Sequence, residues 1–92
     1  PNPFNPERGS PMVIEYELIS SESNLDIILI DAAGRLVSRW NNSILQSSSG
    51  RHRITGGWNG RNMADMTVSP GIYLLYLKID NDIKSSWVMA IQ

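Results

Sequence analysis

The chain has 92 residues, no cysteine and a formal net charge of −1, from eight basic and nine acidic side chains. That is room for one domain and no second core. It excludes disulfides, thiolate metal sites and a cysteine nucleophile, and the balanced charge argues against a nucleic-acid surface. No stretch approaches the ~18 consecutive apolar residues of a membrane-spanning helix. The absence of disulfides fits a bacterial or cytosolic protein better than a small secreted eukaryotic domain. The chain begins at Pro1 without an initiator Met and is expected to be part of a longer polypeptide.

The first ten residues form a proline-rich entry segment opening "PNPFNP", and residues 11–92 are expected to form a single β domain. In "MVIEYEL" (12–18), Met12, Ile14, Tyr16 and Leu18 alternate with polar positions, the period of a half-buried strand. "LDIILID" (25–31) is apolar on both faces, as in a central strand. "DAAGR" (31–35) has the chemistry of a hairpin turn: Asp31 suits its first position and Gly34 its left-handed one. "RLVSRW" (35–40) returns as a strand, and "NNSILQSSSG" (41–50) is a polar loop expected over a sheet edge. "RHRIT" (51–55) starts another strand, followed by Gly56-Gly57-Trp58 and a turn-rich connection over 59–71. "IYLLYLKI" (72–79), the turn Asp80-Asn81-Asp82 and "IKSSWVMAI" (83–91) complete a final hairpin.

Nowhere do apolar residues recur with helical spacing. About seven short strands separated by turn signals predict an all-β, antiparallel immunoglobulin-like β-sandwich, with a small closed barrel as the alternative.

Candidate chemistry is sparse. His52, the single histidine, is expected to share a face with Ile54 opposite Arg51 and Arg53, without the positioned partner that a catalytic base needs. Asp80, Asn81 and Asp82 lack the spacing of a calcium loop. Of the tryptophans, Trp58 and Trp87 are expected in the core and Trp40 at the surface, where it could stack on a sugar. Arg35, Arg39, Arg51 and Arg53 would form a basic stripe if strands 35–40 and 51–55 share a sheet; a solvated face balanced by Glu15, Glu17 and Asp26 is the plainer reading. With Tyr73, Leu75, Leu77 and Ile79 pointing inward, Ile72, Leu74 and Tyr76 form an outer apolar face. It is either an interaction surface or is covered by the 41–50 loop.

Five ordered motifs carry a resemblance: "PNPFNP", "DAAGRLV", "HRITGGWNGRN", "VSPGIYLLYLKI" and the closing apolar strand. Over essentially the whole chain they resemble the C-terminal β-sandwich family shared by FlgD-type immunoglobulin-like domains and type A sorting domains of type IX secretion. The resemblance makes Pro1, Asn2, Pro3, Phe4, Asn5, Pro6, Asp31, Gly34, Arg35, Trp58, Asn59, Gly60, Gly71 and Tyr73 structural motif positions. Phe4 would seat the stiff entry segment, Trp58 would fill the space between sheets beside Tyr73, Asn59-Gly60 would make a tight turn, and Gly71 would permit close approach. Asp65 and Pro70 depart from the family's glycine and Ser-Gly pattern, Asn59 replaces the commoner Asp, and "SSWVMAIQ" lacks the basic residues often seen near the end of sorting domains.

The resemblance implies no catalysis, cofactor or metal. It implies a terminal module of a larger secreted or cell-surface bacterial protein, serving export and sorting, surface anchoring or structural support. Expected partners are upstream domains of the same polypeptide, together with secretion machinery, a surface polymer or neighbouring subunits; neither nucleic acid nor membrane insertion is expected. A self-assembling module of an extracellular filament and an accessory carbohydrate-binding module are the alternatives.

Overall fold

The computed structural model describes residues 4–92; Pro1, Asn2 and Pro3 lie outside the described residues. Six strands form two antiparallel sheets: β1 (Glu15–Leu18), β2 (Leu25–Asp31), β3 (Leu36–Asn41), β4 (Gly50–Arg53), β5 (Gly71–Ile79) and β6 (Asp82–Ile91). β1 pairs with β4, and the larger sheet has the order β3-β2-β5-β6. The all-β antiparallel sandwich expected from the alternation is therefore present. Among the described residues six strands occur, one at each of the stretches 12–18, 25–31, 35–40, 51–55, 72–79 and 83–91, and the first begins only at Glu15 because Met12 joins through an isolated bridge to Trp58. A single 3-10 turn, Pro6–Arg8, follows Asn5, whose side chain accepts from the Glu7 N–H. Proline pre-sets φ for such a turn.

The two-sided apolar strand β2 is central, as its composition requires. On its inner face Leu25, Ile27 and Leu29 are the most completely buried large side chains. They meet Trp40 and Val37 of β3, Tyr73, Leu75 and Leu77 of β5, and Met89 and Ile91 of β6 in one cluster. β1 contributes Tyr16 and Leu18, and Met12, Ile14, Ile54 and Trp58 close the other side. Leu45 reaches the same core from the 41–50 segment, and the Tyr16 hydroxyl donates to the Gln46 carbonyl at 2.7 Å. Among the described residues no buried polar side-chain atom lacks a partner.

Local chemistry sets the turns. The β2–β3 hairpin is clamped by Asp31, whose Oδ1 accepts from the Ala33 and Arg35 amides while Gly34 adopts φ 83°. The β5–β6 hairpin places Asp80 (φ 52°) and Asn81 (φ 71°) between the paired Ile79 and Asp82, the two-residue loop whose twist matches its strands.

Both peripheral tryptophan expectations are reversed. Trp40 is only 9% exposed, because its register partner is Ile27 on the inner face. Trp87 is 38% exposed although it alternates with Met89 and Ile91. It lies on β6, the outermost strand of the larger sheet, opposite Leu75. Gly71 also differs from its expected role. A Cβ there would meet nothing within 4 Å, so its φ of 152°, and not close approach, is what favours glycine.

Candidate interaction surface

Four motif residues, Phe4, Pro6, Trp58 and Gly60, meet at one internal corner. Phe4 is buried, donates its amide to the Ala90 carbonyl (2.9 Å), accepts from Gln92 (2.9 Å), and so extends the edge of β6 near Ile91. Its ring sits 5.6 Å from that of Trp58, which is 2% exposed and donates its indole N–H to the Arg61 carbonyl at 2.9 Å. A Cβ on Gly60 would come within 2.3 Å of Pro6, and one on Gly57 within 2.2 Å of the Met12 carbonyl oxygen. Asn59 turns the chain by accepting from the Arg61 amide. Trp58 thus has Phe4, and not the Tyr73 expected beside it, as its aromatic neighbour.

Tyr73 lies instead at the opposite end of the motif, its hydroxyl donating to the Ser69 carbonyl at 2.5 Å. Burial raises its pKa, and the nearby Asp31 carboxylate raises it further. The Asp31 pKa is lowered by the Arg35 amide, the Arg35 guanidinium and the Ala33 amide; Arg35 Nε lies 2.8 Å from Asp31 Oδ2. Asp31, Arg35, Asn62, Met66, Ser69 and Tyr73 line an open groove of about 660 Å³ at this end of the sandwich. Met66 and Met63 stand out into solvent beside it, a feature that composition did not reveal.

The basic stripe does not form. Arg39 lies on β3 of the larger sheet, whereas Arg51 and Arg53 lie on β4 of the smaller one, so the strands do not share a sheet. Each arginine is also held by a carboxylate: Arg35 by Asp31, Arg39 by Asp26 (2.9 Å), Arg51 by Glu17 (3.2 Å) and Arg53 by Glu15 (3.7 Å). The last two pairs follow from antiparallel register, which sets Glu15 against Arg53 and Glu17 against Arg51. His52 packs its ring 5.4 Å from Tyr16 and contacts the Ser48 carbonyl. No group of three metal-ligating side chains occurs among the described residues.

The outer face of the larger sheet is apolar in its middle rows and polar at one end, and no other strand among the described residues pairs with the sheet. Register assembles it in rows across all four strands: Leu36, Ile30, Leu74 and Val88, then Arg39, Ile28, Tyr76 and Ser86, then Asn41, Asp26, Lys78 and Ile83, with Ile72 beside Ala90 at the far end. Ile72, Leu36 and Val88 are 51%, 49% and 61% exposed, while Leu74 and Tyr76 in mid-sheet are half-buried. The face expected from β5 alone (Ile72, Leu74 and Tyr76) is therefore the middle of a wider surface. The 41–50 segment turns toward the core through Leu45 instead of covering it. Leu36, Val88 and Ile83 were not singled out by sequence, because alternation assigns faces within a strand and only register places strands side by side.

No family model matches the chain, and no curated protein does. Its fold is similar to part of the solved structure of PorZ, a bacterial surface component of the type IX secretion system of Porphyromonas gingivalis, with a TM-score of 0.62 and 21% identity. The likeness covers 100% of this chain and 11% of the PorZ chain, so the β-sandwich corresponds to a small part of that larger protein.

Proposed function

We propose that this chain is a non-catalytic, immunoglobulin-like module of a larger secreted or cell-surface bacterial protein, serving its export and sorting, its anchoring or its structural support. The observation that carries this reading is where the resemblance motifs fall. Phe4, Gly34, Gly57, Trp58, Gly60 and Gly71 occupy core, turn or positive-φ positions, so the shared residues define a scaffold and leave function to its surface. The likeness in fold to a segment of a type IX secretion component supports the same setting.

The test is made on the native polypeptide that contains Pro1 to Gln92. Its cellular fraction is determined first, then its termini by intact mass and peptide mapping. Surface or medium location with these residues removed identifies an export signal that is cleaved. The same location with Gln92 retained identifies a lasting structural or anchoring part. Confinement to the cytosol would overturn the reading.

A further inference from the structure

We infer that the outer face of the larger sheet binds a second copy of the same chain, forming a weak two-fold dimer packed sheet on sheet. This goes beyond the module reading and does not depend on it.

Charge complementarity about one axis identifies the occupant. Asp26 on β2 is the register neighbour of Lys78 on β5, and the two lie in one row of the outer face. A two-fold axis parallel to the strands, running between β2 and β5 above the sheet, preserves level along the strands and exchanges those two strands. It sets Asp26 of each copy over Lys78 of the other. The same operation sets Ile30 over Leu74, Ile28 over Tyr76 and Leu36 over Val88, an isologous contact with an apolar middle, and at its margins it sets Arg39 over Ser86 and Asn41 over Ile83. Twist rotates facing sheets by roughly 30°, which displaces the outer strands most and the central β2–β5 pair least. Within one copy, Lys78 is half-buried and makes no ion pair among the described residues. Asp26 uses only Oδ1 toward Arg39, which leaves Oδ2 for a partner's ammonium.

Area sets the strength. Four strands spaced about 4.8 Å apart and about 20 Å long present on the order of 400 Å² in projection. A standard interface buries roughly 800 Å² per partner, so this face is about half of one and places the association among weak, transient contacts.

Sedimentation equilibrium of the 92-residue chain from about 10 µM to about 1 mM, paired with amide chemical shifts over the same range, tests the inference. The expected result is a monomer–dimer equilibrium, with concentration-dependent shifts at Ile28, Ile30, Leu74, Tyr76 and Lys78. Leu74→Glu abolishes association, Lys78→Glu weakens it roughly tenfold by opposing a glutamate to Asp26 across the axis, and Lys78→Arg retains it. Far-UV circular dichroism and thermal melting confirm that each variant is folded. A monomer throughout the range overturns the inference, as do shifts confined to the β3 edge or to the Met63–Met66 segment. Unchanged association of folded Lys78→Glu overturns the two-fold arrangement.

Discussion

Met12 and Trp58 exchange two backbone hydrogen bonds: the Met12 amide donates to the Trp58 carbonyl at 2.7 Å, and the Trp58 amide to the Met12 carbonyl at 2.8 Å. This bridge ties the segment before β1 to the segment after β4, extending the two-stranded sheet past its last regular pair. It also explains why Gly57 precedes the tryptophan. The Met12 carbonyl occupies the space that a Cβ would need, 2.2 Å away, and the backbone there has φ 60°.

Gly57→Ala and Gly34→Ala therefore separate two costs that share a sign of φ. A methyl group on Gly34 would meet nothing within 4 Å, so alanine there carries only the left-handed penalty of about 1–2 kcal/mol. Gly57→Ala adds a clash with fixed backbone and costs about 3 kcal/mol or more. Urea unfolding of both variants measures the difference; equal losses would remove the Met12 contact as the cause.

The tryptophans give a second contrast. Phe4→Ala leaves a void against Trp58 and costs about 3–5 kcal/mol. Trp87→Ala, on the outermost strand and 38% exposed, costs about 1 kcal/mol or less. Acrylamide quenching reports the same geometry without mutation, because only Trp87 is open to the quencher. Quenching unaffected by Trp87→Phe would contradict it.

Asp31 gives a pH dependence with a defined sign. Its folded-state pKa lies below the ordinary aspartate value, through the Arg35 amide first and then the Arg35 guanidinium. Its contribution to stability is present above the unfolded pKa and is lost as pH falls through the lower folded value. Asp31→Asn keeps an acceptor for the Ala33 and Arg35 amides but removes the charge. The variant melts below the parent at pH 7, and the two melting curves converge in strong acid.

Tyr16 and Tyr73 act in the opposite direction. Burial raises both pKa values above the ordinary tyrosine value of about 10. The folded state therefore holds these protons more tightly than the unfolded chain, and stability is lost as pH rises past that value. Ultraviolet titration of phenolate absorbance should show both ionising late, with Tyr73→Phe removing one late step.

The β5–β6 turn has two non-glycine residues at positive φ, Asp80 and Asn81. Asp80 is held by a bond from Asn24 Nδ2 at 2.9 Å, whereas Asn81 has no such tie among the described residues. Asn81→Gly relieves the left-handed strain and stabilises the hairpin by up to about 1 kcal/mol. Thermal melting measures the gain; a loss of stability would show that the Asn81 side chain supports the turn.

The period of two in 12–18, 25–31 and 72–79 determined the β class and sorted Leu25, Ile27 and Leu29 from Ile28 and Ile30, and Tyr73, Leu75 and Leu77 from Ile72, Leu74 and Tyr76, because successive side chains in a strand leave on opposite faces; which face of 25–31 is buried was decided by the packing. Asp31, Gly34, Asp80 and Asn81 likewise announced their hairpins through local turn chemistry. Alternation carries no information about which strands become neighbours or how far one sheet extends over another. Only the tertiary structure buried Trp40 against Ile27, left Trp87 part-exposed on the outermost strand, divided the arginines between two sheets and aligned Leu36, Ile30, Leu74 and Val88 in one row. Those outcomes rest on register and sheet order, which long-range backbone hydrogen bonds fix and neighbouring residues in the chain do not.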